Sequence, residues 1–225
     1  MTALILQGRL DSTRLPGKSL LPLEGEPLLF RVMEALTVVP CDIRILACPE
    51  DCETSFGPLA ERAGFVICTG PKDDVLARYC TAIRRYSPDR VIRATGDNPF
   101  VFADAAGILA EEAAALDADY AGYAGLPLGA GVEAVNAGAL LRAERESSAM
   151  EEREHVCPYL YKNPERFRLH RPLAPRKWRP AAELSLTVDT LEDYGCAQRL
   201  YRILNKKAKG PERYRGTAIL EAAGS

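Results

Sequence analysis

The chain has 225 residues, enough for one α/β domain that buries roughly 70% of the surface of its unfolded chain. Hydrophobic residues make up 47% and charged residues 27%, the balance of a soluble globular protein, and a formal net charge of −2 excludes a general nucleic-acid footprint. No apolar run approaches the ~20 residues of a membrane span, and the start MTALILQG lacks the basic leader of a signal peptide. The expected location is therefore cytoplasmic, with no membrane and no nucleic-acid partner.

Residues 3–6 are an apolar run ending in Gln7-Gly8, which predicts a first buried strand over 3–7. The loop behind it carries Arg9, Ser12, Thr13, Arg14, Gly17 and Lys18 and leaves the carboxyl end of the strand, where α/β sheets bind ligands. Small and hydroxylated residues let the backbone curl so that N–H groups converge on an anion. Three cations in the same loop suit a ligand with several negative charges, such as a nucleoside triphosphate. Gly17-Lys18-Ser19 looks like the end of a Walker P-loop, but that motif needs glycine where Ser12 stands. Pro16 makes the segment a turn, and the G-x-G-x-x-G spacing is absent as well. A solvated basic loop is the plainer alternative.

Further along, the pattern predicts a helix over 28–36, a strand over 43–48, a helix over 58–63 stopped by Gly64, and a strand over 65–68. A helix over 74–85, a strand over 91–95 and an alanine-rich helix over 103–116 follow. This alternation implies right-handed βαβ units and a mostly parallel sheet. After residue 118 come an irregular glycine-rich loop over 122–131, a helix over 136–144, and a helix over 148–163 with a Ser148 cap answered by Glu151. A proline- and arginine-rich arm with Trp178 spans 164–182, then a strand over 184–188 and a helix over 191–205. One domain over 1–225, with a loop-and-arm region around 120–182, is the simplest organisation.

Asp97 and Asp189 each stand just beyond a predicted strand, in Thr95-Gly96-Asp97-Asn98-Pro99 and Thr187-Val188-Asp189-Thr190. Helix capping is one explanation of each. The other is that the two meet above one sheet edge and supply the one or two carboxylates that magnesium takes beside phosphate oxygens and water. Asp73 and Asp74 suit the acidic first turn of an ordinary helix. Cys41, Cys48, Cys52, Cys68, Cys80, Cys157 and Cys196 lack C-x-x-C spacing and, with only His155 and His170, read as reduced, mostly buried thiols and not as a zinc site.

Gln7-Gly8-Arg9 with Ser12-Thr13-Arg14-Leu15-Pro16-Gly17-Lys18 is followed in order by four further segments. They are Asp73-Asp74-Val75-Leu76-Ala77-Arg78-Tyr79, Thr95-Gly96-Asp97-Asn98-Pro99, Arg153-Glu154-His155-Val156, and Leu186-Thr187-Val188-Asp189-Thr190-Leu191-Glu192-Asp193. This set, covering the chain from residue 3 to about 205, resembles the cytidylyltransferases of the spore-coat polysaccharide biosynthesis type. The 3-deoxy-manno-octulosonate and sialic acid cytidylyltransferases are more distant kin.

The resemblance implies a Rossmann-like mixed α/β sheet of the nucleotide-diphospho-sugar transferase (GT-A-like) fold. It implies transfer of CMP from CTP to a sugar, sugar acid or phosphorylated small molecule, with release of pyrophosphate. It assigns Arg9 and Lys18 to catalysis at the triphosphate, a task that suits an arginine fork and a lysine point charge. Gly8, Ser12, Thr13, Arg14 and Thr95 complete the nucleotide site, with Arg78 near the base. Asp97 and Asp189 take Mg2+, Glu133 and His155 face the acceptor, and the arm pairs two copies into a homodimer.

The chain departs from that pattern in two places. Ala130 and Gly131 stand where relatives carry an aspartate, and Asp11 where they have glycine or alanine, so Asp11 should point away from the phosphates or weaken nucleotide binding. Two other functions fit the same fold. A nucleotide-sugar-dependent glycosyltransferase typically shows an Asp-x-Asp motif, missing over 95–99, and a non-catalytic nucleotide-binding protein would follow if the departures mark lost activity.

Overall fold

A computed structural model describes residues 1–180 and 183–224. Strand β1 (Thr2–Gln7) leads into the basic loop, a short hairpin of β2 (Pro22–Leu23) and β3 (Glu26–Pro27), and helix α1 (Leu28–Leu36). Then come β4 (Ile43–Pro49), α2 (Glu53–Arg62), β5 (Val66–Gly70), α3 (Val75–Tyr86), β6 (Arg90–Thr95) and α4 (Ala103–Ala115). The second half holds β7 (Tyr120–Ala121), β8 (Glu133–Asn136), α5 (Ala137–Glu146), α6 (Met150–His155), α7 (Pro158–Tyr161) and β9 (Leu169–His170). Helices α8 (Leu191–Lys207) and α9 (Gly216–Ala223) close the chain.

Seven strands form one sheet in the order β5-β4-β1-β6-β8-β7-β9. β1 is central because both of its faces are apolar: Leu4 and Leu6 lie in one core, Ala3 and Ile5 in the other, all without solvent exposure. Such two-sided burial is what parallel strands covered by crossover helices require. Helices α1, α2, α4, α8 and α9 contribute to the first core, and α3, α5 and α7 to the second. β4, β5 and β6 run parallel to β1, whereas β8 returns antiparallel to β6.

The chain builds outward from β1 to β4 and β5 and then crosses to β6 on the other side of β1. That reversal opens a crevice at the carboxyl ends of β1 and β6, the place where open α/β sheets bind ligands. In register, Gln7 lies beside Thr95, so the loops after the two strands start as neighbours. Gly96 donates to the Gln7 carbonyl at 2.9 Å, and a Cβ at Gly96 would stand 2.8 Å from that oxygen. Only glycine permits this approach.

Several expectations need correction. The helix predicted over 148–163 is two short ones, broken at Val156, and Ala149, not Ser148, precedes its first turn without a side-chain cap. The helix predicted over 58–63 begins earlier, at Glu53, and absorbs Pro58. Residues 184–188 are extended but join no sheet strand: Leu128 donates to the Leu184 carbonyl at 3.2 Å, Leu186 to Leu128 at 2.7 Å, and Val188 to Asp97 at 2.9 Å. The alternation of Leu184, Leu186 and Val188 with Ser185 and Thr187 is real, but its partner is an irregular loop. Gly129, at φ +86°, permits the close approach, since a Cβ there would lie 2.7 Å from the Thr187 nitrogen.

The arm is anchored to the domain at several points. β9 joins the sheet beside β7, and Trp178 and Phe167 are buried within the chain, which removes the reason for assigning them to a subunit contact. Ala181 and Ala182, at the end of the predicted arm, lie outside the described residues. No helix among the described residues is long and apolar enough to cross a membrane.

Trp178 also carries a polar link: its Nε1 donates to Asp104 Oδ2 at 3.1 Å, and Asp104 Oδ1 accepts from the Gly216 nitrogen at 2.9 Å. Trp178→Ala is expected to destabilise the protein by about 3–5 kcal/mol, read from the midpoint shift in urea unfolding.

Candidate active site

The basic loop is folded on itself at its base. Gly17 donates to the Leu10 carbonyl at 3.2 Å, Lys18 to Leu15 at 3.2 Å, and the buried Ser19 hydroxyl to the Arg9 carbonyl at 2.8 Å. This closure aims the Lys18 side chain across the crevice. Its Nζ donates to Asp97 Oδ2 at 3.0 Å, Asp189 Oδ1 at 2.9 Å and the Val188 carbonyl at 2.8 Å. A guanidinium nitrogen of Arg14 lies 3.1 Å from the same Asp189 oxygen. Two carboxylates touching one nitrogen are at most about 6 Å apart, close enough to share a cation.

Neither carboxylate caps a helix. Thr190 is the N-cap of α8, and Asp193 reciprocates in a capping box, its Oδ2 accepting from the Thr190 nitrogen at 2.8 Å and from the Asp189 nitrogen at 3.1 Å. Phe102 holds the N-cap position of α4, which leaves Asp97 in the preceding turn. Asn98 donates to Thr95 Oγ1 at 2.6 Å.

Arg14, Lys18, Asp97, Asn98 and Asp189 line a cavity of about 370 Å³, together with Gly8, Arg9, Ser12, Thr13, Thr95 and His155. Arg9 extends toward Glu154, at 3.8 Å. Glu154 and the exposed His155 arrive on the last turn of α6, whose exit is strained. Val156, β-branched and buried, sits at φ +72° and ψ −54° in a three-residue turn closed by the Cys157 nitrogen on the His155 carbonyl at 2.9 Å. Turns of this kind are rare and strained, and they persist where surrounding structure over-determines them. Arg153, bound to Asp74 at 2.8 Å and to the Glu144 carbonyl at 2.6 Å, anchors the same helix to the start of α3. Asp74 meanwhile caps α3 through the Ala77 nitrogen at 2.9 Å.

Arg78 also lines the cavity, but it is buried and its guanidinium is held by backbone carbonyls. It donates to Pro71 at 2.8 and 3.0 Å and to Lys72 at 2.6 Å. These contacts fix the loop after β5 and hold Arg78 in the wall of the cavity. Asp11 does turn aside. Lys72 Nζ lies 2.6 Å from its carboxylate and 3.0 Å from that of Asp51, and these contacts raise the lysine pKa and lower both aspartates.

Glu133 is absent from this cavity and faces an adjoining one of about 300 Å³ that shares Arg93, Thr95, Asn98, Leu128 and Gly129 with it. It stands directly opposite Arg93 in the β6–β8 ladder, accepts from Arg93, and accepts from the Tyr120 hydroxyl at 2.8 Å. Burial alone would lower the Arg93 pKa, but Glu133 beside it, with Tyr79 and Cys157, raises it instead. Burial first and Glu133 second push Tyr120 up.

The sequence matches the cytidylyltransferase family over residues 3–219. This chain belongs to the cytidylyltransferase family. The spore coat polysaccharide biosynthesis protein SpsF of Bacillus subtilis (strain 168) is 33% identical over 205 residues, covering 88% of this chain and 85% of that protein. Among solved structures, a cytidylyltransferase from Leptospira borgpetersenii serovar Hardjo-bovis superposes with a TM-score of 0.87 at 22% identity, over 99% of this chain and 93% of its own. A CMP:2-keto-3-deoxy-manno-octonic acid synthetase solved with CTP superposes with a TM-score of 0.66 at 15% identity, over 92% and 99%. These two likenesses establish the nucleotidyltransferase fold, and family membership makes the chain a nucleotidyltransferase.

In this cytidylyltransferase, the residues to which the sequence motifs assign no role are Arg93, Tyr120 and Gln7, whose side-chain oxygen accepts from Arg93 at 3.2 Å. An arginine inside the apolar run Val91-Ile92-Arg93-Ala94 was the available signal, because a buried charge demands a partner. Removing one member of such a pair strands the other. Arg93→Met is expected to cost about 3 kcal/mol, and Arg93→Met with Glu133→Gln together less than the sum of the two single changes, measured as a double-mutant cycle in urea.

Proposed function

We propose that the protein is a CTP-dependent cytidylyltransferase that transfers CMP to an oxygen of a sugar, sugar acid or phosphorylated small molecule and releases pyrophosphate. One observation carries this reading: Lys18, Arg14, Asp97 and Asp189 converge at the mouth of the crevice between β1 and β6, in a chain of this family. The cations suit a triphosphate, and the two carboxylates suit a magnesium ion. Among the described residues no cluster of three or more His, Cys, Asp or Glu side chains forms a complete protein cage. Magnesium needs none, since it takes one or two carboxylates plus phosphate oxygens and water. The donor set fits, and a protein cation already sits between the two aspartates.

In this reading Arg9, Arg14 and Lys18 neutralise the triphosphate and stabilise the departing pyrophosphate. Asp97 and Asp189 hold magnesium, which when bound supplies charge neutralisation at the phosphates. Ser12 and Thr13, with Gly8, shape the loop around the phosphate chain. The acceptor enters from the adjoining pocket past Thr95 and Asn98, and its oxygen attacks the α-phosphorus as the bond to the β-phosphate oxygen breaks. His155 borders the acceptor path, while Glu133 orders the pocket wall through Arg93 and Tyr120. Positioning and charge carry most of the acceleration, as in phosphoryl transfer generally.

The reading places the protein in the cytoplasm, in keeping with its seven free cysteines. The two-fold homodimer rests on the family resemblance alone. Light scattering at micromolar concentration is expected to give twice the chain mass, and a strictly monomeric mass would remove the dimer.

Pyrophosphate release is the decisive assay, run with each nucleoside triphosphate, magnesium and a pool of sugars, sugar acids and phosphorylated acceptors. CTP is expected to be the productive donor; preference for another triphosphate, or turnover without magnesium, would sink the reading. Lys18→Ala, Asp97→Asn and Asp189→Asn should each lose at least about 100-fold in kcat/KM, on the order of 3 kcal/mol, with the two aspartate losses non-additive.

A further inference from the structure

We infer that Lys18 is the resident counter-cation of the metal site, and that it must leave Asp97 and Asp189 before it can serve the triphosphate. This rests on the reading that those two aspartates hold the metal. An ammonium group has three donors. In the structure all three are engaged: by Asp97 Oδ2 at 3.0 Å, Asp189 Oδ1 at 2.9 Å and the Val188 carbonyl at 2.8 Å. Lys18 therefore has no donor left for a phosphate oxygen while it stays where it is. Its side chain is 11% exposed, so this is no solvent-screened surface pair.

Charge counting decides how the handover proceeds. Lys18 and Arg14 balance Asp97 and Asp189, so these four side chains together carry no net charge. A divalent ion arriving alone meets carboxylates already paired, and it drives two cations toward each other with no anion to receive them. A triphosphate supplies that anion. The long, flexible lysine stem lets Nζ swing from the carboxylates to phosphate oxygens, freeing both aspartates for the metal. Metal and nucleotide therefore bind with positive coupling, and each raises the affinity of the other by the same factor. Removing the lysine charge should tighten metal binding in the absence of nucleotide, even as it abolishes turnover.

The test is Mn2+ binding to the intact protein, read by electron paramagnetic resonance of the free ion, without nucleotide and then with a non-hydrolysable CTP analogue. Lys18→Met should bind Mn2+ alone about tenfold or more tightly than the wild-type protein, and the analogue should add less to that affinity than it adds in the wild type. Lys18→Gln, uncharged but still polar, should behave alike and serves if the methionine variant does not fold. Lys18→Arg keeps the charge and should stay near wild-type affinity. Equal Mn2+ affinity in wild type, Lys18→Met and Lys18→Gln, with loss on Asp97→Asn or Asp189→Asn, would overturn the handover and leave the metal assignment standing. Mn2+ binding indifferent to both aspartate changes, with or without the analogue, would overturn the metal assignment and the handover with it.

Discussion

The ammonium of Lys18 ties together three parts of the chain that no sheet hydrogen bond connects: the loop after β1, the turn after β6, and the extended segment ahead of α8. Two carboxylates aimed into one crevice would repel each other, and the arrangement holds because a mostly buried cation lies between them. Ser19, the next residue, is buried and holds the Arg9 carbonyl, so the anchor that fixes Lys18 also fixes the start of the basic loop.

The sheet prepares this meeting. Because the strand order reverses between β1 and β6, their carboxyl ends are adjacent while their outgoing loops belong to different halves of the chain. Gly96 lets the two backbones touch, and a side chain there would push the turn bearing Asp97 away from the loop bearing Lys18. In the crevice wall, the Arg93–Glu133 pair is held in register, the residues facing each other across an antiparallel ladder, with Gln7 and Tyr120 joined to it. Both terminal nitrogens of Arg93 are engaged in this way, while its buried Nε has no partner.

The second carboxylate arrives by a different route from the first. Asp97 follows a sheet strand, whereas Asp189 is delivered by residues that hydrogen-bond to the 126–129 loop and to Asp97 itself. The capping box of Thr190 and Asp193 then starts α8 immediately behind it and takes over the role that competed for Asp189. Asp11 shows a comparable division: a carboxylate in the basic loop is answered by Lys72, which also holds Asp51 after β4, and Asp11 does not line the cavity.

The sequence by itself determined the parallel α/β half, because two-sided apolar strands alternating with amphipathic helices leave few other solutions, and it determined the composition of the crevice, because Arg9, Arg14, Lys18, Asp97 and Asp189 stand in motifs whose order is recognisable. It also marks residues 184–188 as extended through their period of two, but alternation specifies burial and not the partner, so a loop-paired ribbon carries the same pattern as a sheet strand. The break at Val156 was invisible for a related reason: a positive φ at a β-branched residue opposes local preference and exists only because the surrounding fold imposes it. Tertiary structure alone decided that Trp178 belongs to the core, that Arg78 holds a loop, and that Lys18 sits on the aspartates and not in open solvent. Each of these depends on distances between residues far apart in the chain, which local pattern does not encode.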